Sequence, residues 1–145
     1  MKRNLFLVFV LVLFSGFLFA GEPFKDLQTI EGVKIQYKWG RTRLLKKDSP
    51  ARLVLRVENT NPYAVNATFR VDYFYKAVIQ SQADSTVHVC LKPGKKLTGR
   101  SYGLHFDTSN LSNEQVKSDD FFIELSEVKM EKVCGCSDYK TPVRE

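Results

Sequence analysis

This 145-residue chain has no acidic excess, no paired metal-ligand spacing and, beyond residue 20, no apolar run long enough to cross a bilayer. Histidine occurs only twice, tryptophan once and cysteine 3 times. A multi-bridge disulfide scaffold is therefore ruled out by supply, since the cysteines allow one bridge with one thiol left over, and at most one small metal centre could be assembled. A long 3.6-residue hydrophobic period is also missing, which excludes a helix bundle, and no internal repeat or low-complexity segment suggests a solenoid or a disordered linker. The length fits one domain and excludes most large catalytic folds. Net charge is +6, and +4 once Lys2 and Arg3 are set aside. That surplus is too small to read as a nucleic-acid footprint, and nothing in the pattern implies a cofactor.

The start of the chain is ordered as a secretory leader. Lys2 and Arg3 form a positive n-region, Leu5 to Phe14 is unbroken apolar sequence, and Ser15 and Gly16 precede Phe17-Leu18-Phe19-Ala20. Residues 1–20 are therefore predicted to be a signal peptide cleaved after Ala20, which places the protein in the periplasm, at the cell surface or outside the cell.

From Val33 to Val133 most of the chain alternates with the period of two that a half-buried strand requires. Val33, Ile35, Tyr37 and Trp39 share one face, against Lys34, Gln36 and Lys38. Leu53, Leu55 and Val57 form the inward row of a second strand, and Val65, Ala67, Phe69, Val71, Tyr73 and Tyr75 that of a third. The Asn59-Thr60-Asn61-Pro62 turn joins these two, so they are expected to pair antiparallel. Val87, Val89 and Leu91 make another row, closed by the turn Lys92-Pro93-Gly94-Lys95, and Tyr102, Leu104 and Phe106 the next. Ser112-x-x-Gln115 reads as a capping box for a single helical turn. Along Phe121 to Val133 the inward parity switches from Phe121, Ile123 and Leu125 to Val128 and Met130, which predicts a β-bulge near Ser126-Glu127. Together these rows predict an all-β fold: an antiparallel immunoglobulin-like β-sandwich of about seven strands over residues 21–133, followed by a polar, mobile tail at 134–145.

The run from Leu53 to Val71, with its Asn59-Thr60-Asn61-Pro62 turn, and the later Lys92-Pro93-Gly94-Lys95 turn together resemble small bacterial immunoglobulin-like or fibronectin-like extracytoplasmic domains of the FxLYD type. The chain has Tyr73-Phe74-Tyr75-Lys76 where that type continues into an Asp-x-x-Gly turn. The resemblance implies a binding or assembly role and carries over no catalytic residues.

The chemically informative positions are few. Cys90 lies on a predicted strand, and Cys134-Gly135-Cys136 comes after the last one. A bridge from Cys90 to Cys134 or Cys136 would close a loop of about 45 residues and stabilise the fold by roughly 4 kcal/mol. A bridge between Cys134 and Cys136 is the redox alternative, in which the Cys-Gly-Cys segment handles thiols. His88 and Cys90 share a strand face and, with Cys134 and Cys136, count as four donors for a soft metal, although zinc spacings are absent and His88 suits a solvated surface better. Gly99-Arg100-Ser101-Tyr102-Gly103 has the letters of a nucleophile elbow, with His105 as the base available nearby, but its next element is a strand and not a helix. Tyr37 and Trp39 belong to a core row, which leaves Tyr63 as the exposed ring. Arg41, Arg43, Lys46 and Lys47, together with Lys95, Lys96 and Arg100, make a basic loop surface suited to an anionic glycan or a membrane surface. The reading these residues favour is an exported, non-catalytic binding or assembly module that meets a protein or another cell-envelope component. Its alternative is a thiol-redox or soft-metal-handling protein.

Overall fold

The computed structural model of the protein describes residues 23–42, 49–82, 86–108 and 111–136. The predicted leader, Arg43, Lys46, Lys47 and the chain beyond Cys136 lie outside the described residues. Two antiparallel sheets pack face to face. The strands are β1 (Lys25–Ile30), β2 (Val33–Arg41), β3 (Ala51–Asn59), β4 (Ala64–Tyr75), β5 (Val78–Gln82), β6 (Val87–Leu91), β7 (Lys96–Thr98), β8 (His105–Asp107) and β9 (Phe121–Val133). A short helix, α1 (Asn113–Lys117), precedes β9.

Both sheets are built on one plan. In the first, β2 pairs along the whole of β3, and β1 pairs with β2. The other edge of β3 is shared by β7, opposite residues 56–58, and β8, opposite residues 52–54. In the second sheet, β9 pairs along the whole of β4, and the other edge of β4 is shared by β6, opposite residues 65–69, and β5, opposite residues 72–75. The inward rows interlock as one core: Ile35 from β2, Leu53, Leu55 and Val57 from β3, Phe69, Val71 and Tyr73 from β4, and Leu91 from β6 are all fully buried or nearly so. Tyr37 and Trp39 pack half-buried against it, and Phe121 meets the rings of both Trp39 and Tyr73.

The Asn-rich turn differs from its expected role. It does not join a paired hairpin, because β3 and β4 belong to different sheets and the turn carries the chain across the sandwich. The Asn59 side chain makes this crossing possible. It is fully buried, donates from Nδ2 to the carbonyls of Tyr63 (2.7 Å) and Leu91 (3.1 Å), and accepts the Asn61 amide (2.9 Å) at Oδ1. An Asn can thus supply interior hydrogen bonds to backbone that has left a ladder. The β1–β2 hairpin docks on the same turn: Thr60 donates to the Gly32 carbonyl and Asn61 to that of Glu31. Gly32 has φ 76, and a Cβ there would overlap the Asn61 side chain.

Strands β1, β5 and β7 add to the number expected. The tight turns before β2 and β5 use Glu31-Gly32 and Lys76-Ala77, all with positive φ. Lys76-Ala77 lacks the Asn or Gly that usually announces such a hairpin. Tyr102 is not in a strand. It ends a 3-10 turn, Arg100–Tyr102, and is 41% exposed, whereas Leu104 and Phe106 point inward as expected. The capping box forms: Ser112 Oγ accepts the Gln115 amide, and Gln115 Oε1 accepts the Ser112 amide. The bulge forms too. Thr68 pairs with Lys129 and Arg70 with Ser126, so Phe69 faces both Glu127 and Val128, and Glu127 takes φ 51.

Candidate functional site

Cys90 is bonded to Cys136, with Cα atoms 5.6 Å apart. Because β9 and β6 lie on opposite edges of β4, the chain after Val133 has to cross β4 to reach Cys90, and the bridge staples both neighbours of that strand. Cys134 is a free, exposed thiol. The Cys134–Cys136 pairing is therefore not the one adopted, and the bridge takes the sulfurs of Cys90 and Cys136 out of the proposed soft-metal set. His88 is exposed on β6 and contacts Thr68 through Nδ1 at 3.1 Å. Among the described residues, no group of three or more His, Cys, Asp or Glu side chains is placed to hold a metal.

The hydrolase elements do not form a relay. Ser101 is exposed in the 3-10 turn, and the buried Nδ1 of His105, on β8, has no hydrogen-bond partner among the described residues, so no described acid holds it there. Tyr63 also departs from expectation. It packs half-buried against the core with Lys132 Nζ 4.6 Å from its ring centroid.

The predicted basic surface is divided by the strand register. Arg41 pairs opposite Ala51 at one end of the first sheet, while Lys95, Lys96 and Tyr63 lie near Asn59 at the other. The nine residues of β3 separate these ends by roughly 27 Å. Lys96 is also occupied, its Nζ 3.0 Å from Glu58. Arg100 stands apart from both groups, in the gap between β7 and β8.

What the structure assembles is a different cationic group, on the outer face of the first sheet. Cross-strand register puts Lys38, Val54 and His105 in one row, with Gln36, Arg56 and Thr98 in the next, and Gly40, Arg52 and Asp107 on the far side. Phe24 lies over this face, its ring centroid 3.8 Å from the Arg56 guanidinium carbon and 4.8 Å from Lys38 Nζ. The acids of the face are taken: Asp26 by Lys34 (3.0 Å) and Gln36 (2.7 Å), Glu58 by Lys96, and Asp107 by Arg52 Nε (2.7 Å). The Gln36 hydrogen bond, with Lys34 second, holds the Asp26 carboxyl below its ordinary range. Lys38, Arg56 and Arg100 have no carboxylate partner among the described residues. His105 registers this field. Burial lowers its pKa below the ordinary histidine value, and Arg52, Arg100 and Lys38 lower it further, with Asp107 opposing. The single letters gave little sign of this cluster, because its members are far apart in sequence and each reads as the polar residue of an ordinary strand.

The outer face of the second sheet is different in kind. Phe122, Phe74 and Ile79 form one row across β9, β4 and β5, with the two phenyl rings stacked at 4.9 Å. Phe122 is 46% exposed and Ile79 45%; Val78, 59% exposed at the start of β5, pairs with Tyr75 and has the opposite parity. No helix covers either sheet among the described residues, since α1 is the only α-helix there and has five residues. The fold is that of an all-β sandwich whose outer faces, among the described residues, are one cationic and one partly apolar. No family model, no curated protein and no solved structure matches the chain.

Proposed function

We propose that this chain is an exported, non-catalytic binding or assembly module that uses its outer sheet faces to meet a protein or another component of the cell envelope. The observation that carries the reading is the contrast of those faces. A small sandwich that, among the described residues, leaves cations without acid partners on one side and stacked, partly exposed phenyl rings on the other is organised for contact. The Cys90–Cys136 bridge adds support, since structural disulfides belong to oxidising compartments, and so does the leader-like sequence of residues 1–20.

The test uses protein recovered from the exporting host. The expected intact mass starts at Gly21, lacks the hydrogens of one disulfide and gains one alkyl group, which peptide mapping assigns to Cys134. The protein is expected to bind the host's envelope fraction saturably, with Ser101 unlabelled by a fluorophosphonate. A chain kept in the cytoplasm with its first 20 residues, no envelope binding, or a labelled Ser101 would each overturn the reading. A bridge that migrates to Cys134 and Cys136 during function would put the thiol-redox reading in its place.

A further inference from the structure

We infer that the outer face of the first sheet binds an anionic glycan carrying sulfate or phosphate esters, seated across Lys38, Arg56 and Arg100 beside His105. This rests on the binding-module reading and names the chemistry of one of its faces.

Among the described residues, this face holds cations without a carboxylate partner beside an aromatic ring. Arg56 has no hydrogen-bond acceptor and no ion-pair partner among the described residues, yet the Phe24 ring lies against it. Stacking on a phenyl face fixes the plane of a guanidinium while leaving its edge N–H groups free, and that edge matches the paired oxygens of a phosphate or sulfate. Lys38 shares the same ring and supplies a second cation on the adjoining strand. Arg100 supplies a third across His105, from the turn that separates β7 from β8. Lys38 and the His105 backbone are two strand spacings apart, roughly 10 Å, so the cations line a track across the sheet and do not close around one point. A track of this width suits successive charged groups on one chain, each binding event raising the effective concentration for the next. The row opposite Arg52 is occupied on β2 by Gly40, which leaves the backbone open there.

A bilayer suits this face less well. Peripheral membrane contact combines cations with apolar side chains on one surface. Here the exposed Phe122, Ile79 and Val78 belong to the other sheet, away from Lys38, Arg56 and Arg100. The ligand this face selects is hydrated and anionic.

The two histidines of the chain provide the measurement, because His105 lies on the cationic face and His88 on the opposite one. Disulfide-intact, isotope-labelled protein from the exporting host is titrated with a fully sulfated tetrasaccharide and monitored by the His Cε1–Hε1 and Arg Nε–Hε resonances. Binding is expected to shift His105 and Arg56 signals and raise the His105 pKa, because the anion offsets Lys38, Arg52 and Arg100, while His88 stays unchanged. Arg56→Gln and Arg100→Gln should each weaken binding about tenfold, as loss of a charge-assisted hydrogen bond implies. Lys76→Gln, in the β4–β5 turn, should leave it unchanged. Thermal midpoints of the variants confirm folding, and Arg56→Lys should recover only part of the affinity. Shifts centred on His88, or equal binding by Arg56→Gln, would overturn the assignment. Inorganic phosphate binding as tightly as the tetrasaccharide would overturn the glycan. Sedimentation with phosphatidylglycerol vesicles that depends on Phe122 and not on Arg56 would replace it with a membrane. Saturable envelope binding that survives Arg56→Gln would leave the binding-module reading standing while this assignment falls.

Discussion

Tyr73 holds its hydroxyl in the core with no hydrogen-bond partner among the described residues, while its ring is 2% exposed and stacks on Phe121. Burial pushes the phenol above its ordinary pKa, and the charge of Asp107 adds to this. A buried polar group without a partner costs more than it contributes. Tyr73→Phe is therefore expected to raise stability by about 1 kcal/mol, read as a higher urea midpoint. His105 gives a pH signature. Its folded-state pKa lies below the value of 6.5 it has when unfolded, so the unfolded chain binds more protons as pH falls through that value. Stability is full above about pH 6.5 and declines below it, as the unfolded state takes up the proton the folded state resists. Thermal midpoints between about pH 7.5 and 5.5 should show this decline, and His105→Asn should flatten it. The inward rows were legible from alternation alone, since burial acts on each residue separately. The charge cluster was not, because its members are brought together by register between strands distant in sequence.

Among elements, the crossing from β3 to β4 depends most on a single side chain. Asn59 bonds backbone of the turn and of β6, so it ties the end of the first sheet to the second. Asn59→Ala strips partners from carbonyls in a dry interior and should destabilise the protein by about 3 kcal/mol by chemical denaturation. The turn itself could be read from Asn59-Thr60-Asn61-Pro62, but its direction could not, since the same letters suit a hairpin and a sheet-to-sheet crossing. The bulge and the capping box were legible because each leaves a local mark: a parity switch at Ser126-Glu127 in one case, a Ser and Gln three apart in the other. Strands β1, β5 and β7 left no such mark. β1 and β5 adjoin turns without the usual residues or carry a shifted register, and β7 has three residues.

For the whole molecule, the Cys90–Cys136 bridge is the longest-range covalent constraint, with a sequence separation of 46 between its ends. Replacing both cysteines with alanine is expected to cost about 4 kcal/mol from the released freedom of the unfolded chain. Cys134→Ser should change the stability read from the urea midpoint by less than about 0.5 kcal/mol, because that thiol is exposed and unbonded. Three cysteines allowed one bridge on arithmetic alone. Only the path of the chain over β4 decides that Cys136, and not Cys134, reaches Cys90.

The plan of the second sheet also sets an order of events. β4 is complete by Tyr75, yet the strand that covers its full length, β9, ends at Val133. A chain emerging from its amino end thus waits for more than half of the remaining sequence before that edge is paired, and the disulfide that closes the structure needs residue 136. Every shorter nascent fragment lacks a finished second sheet, so closure of the sandwich waits until almost the last described residue has appeared.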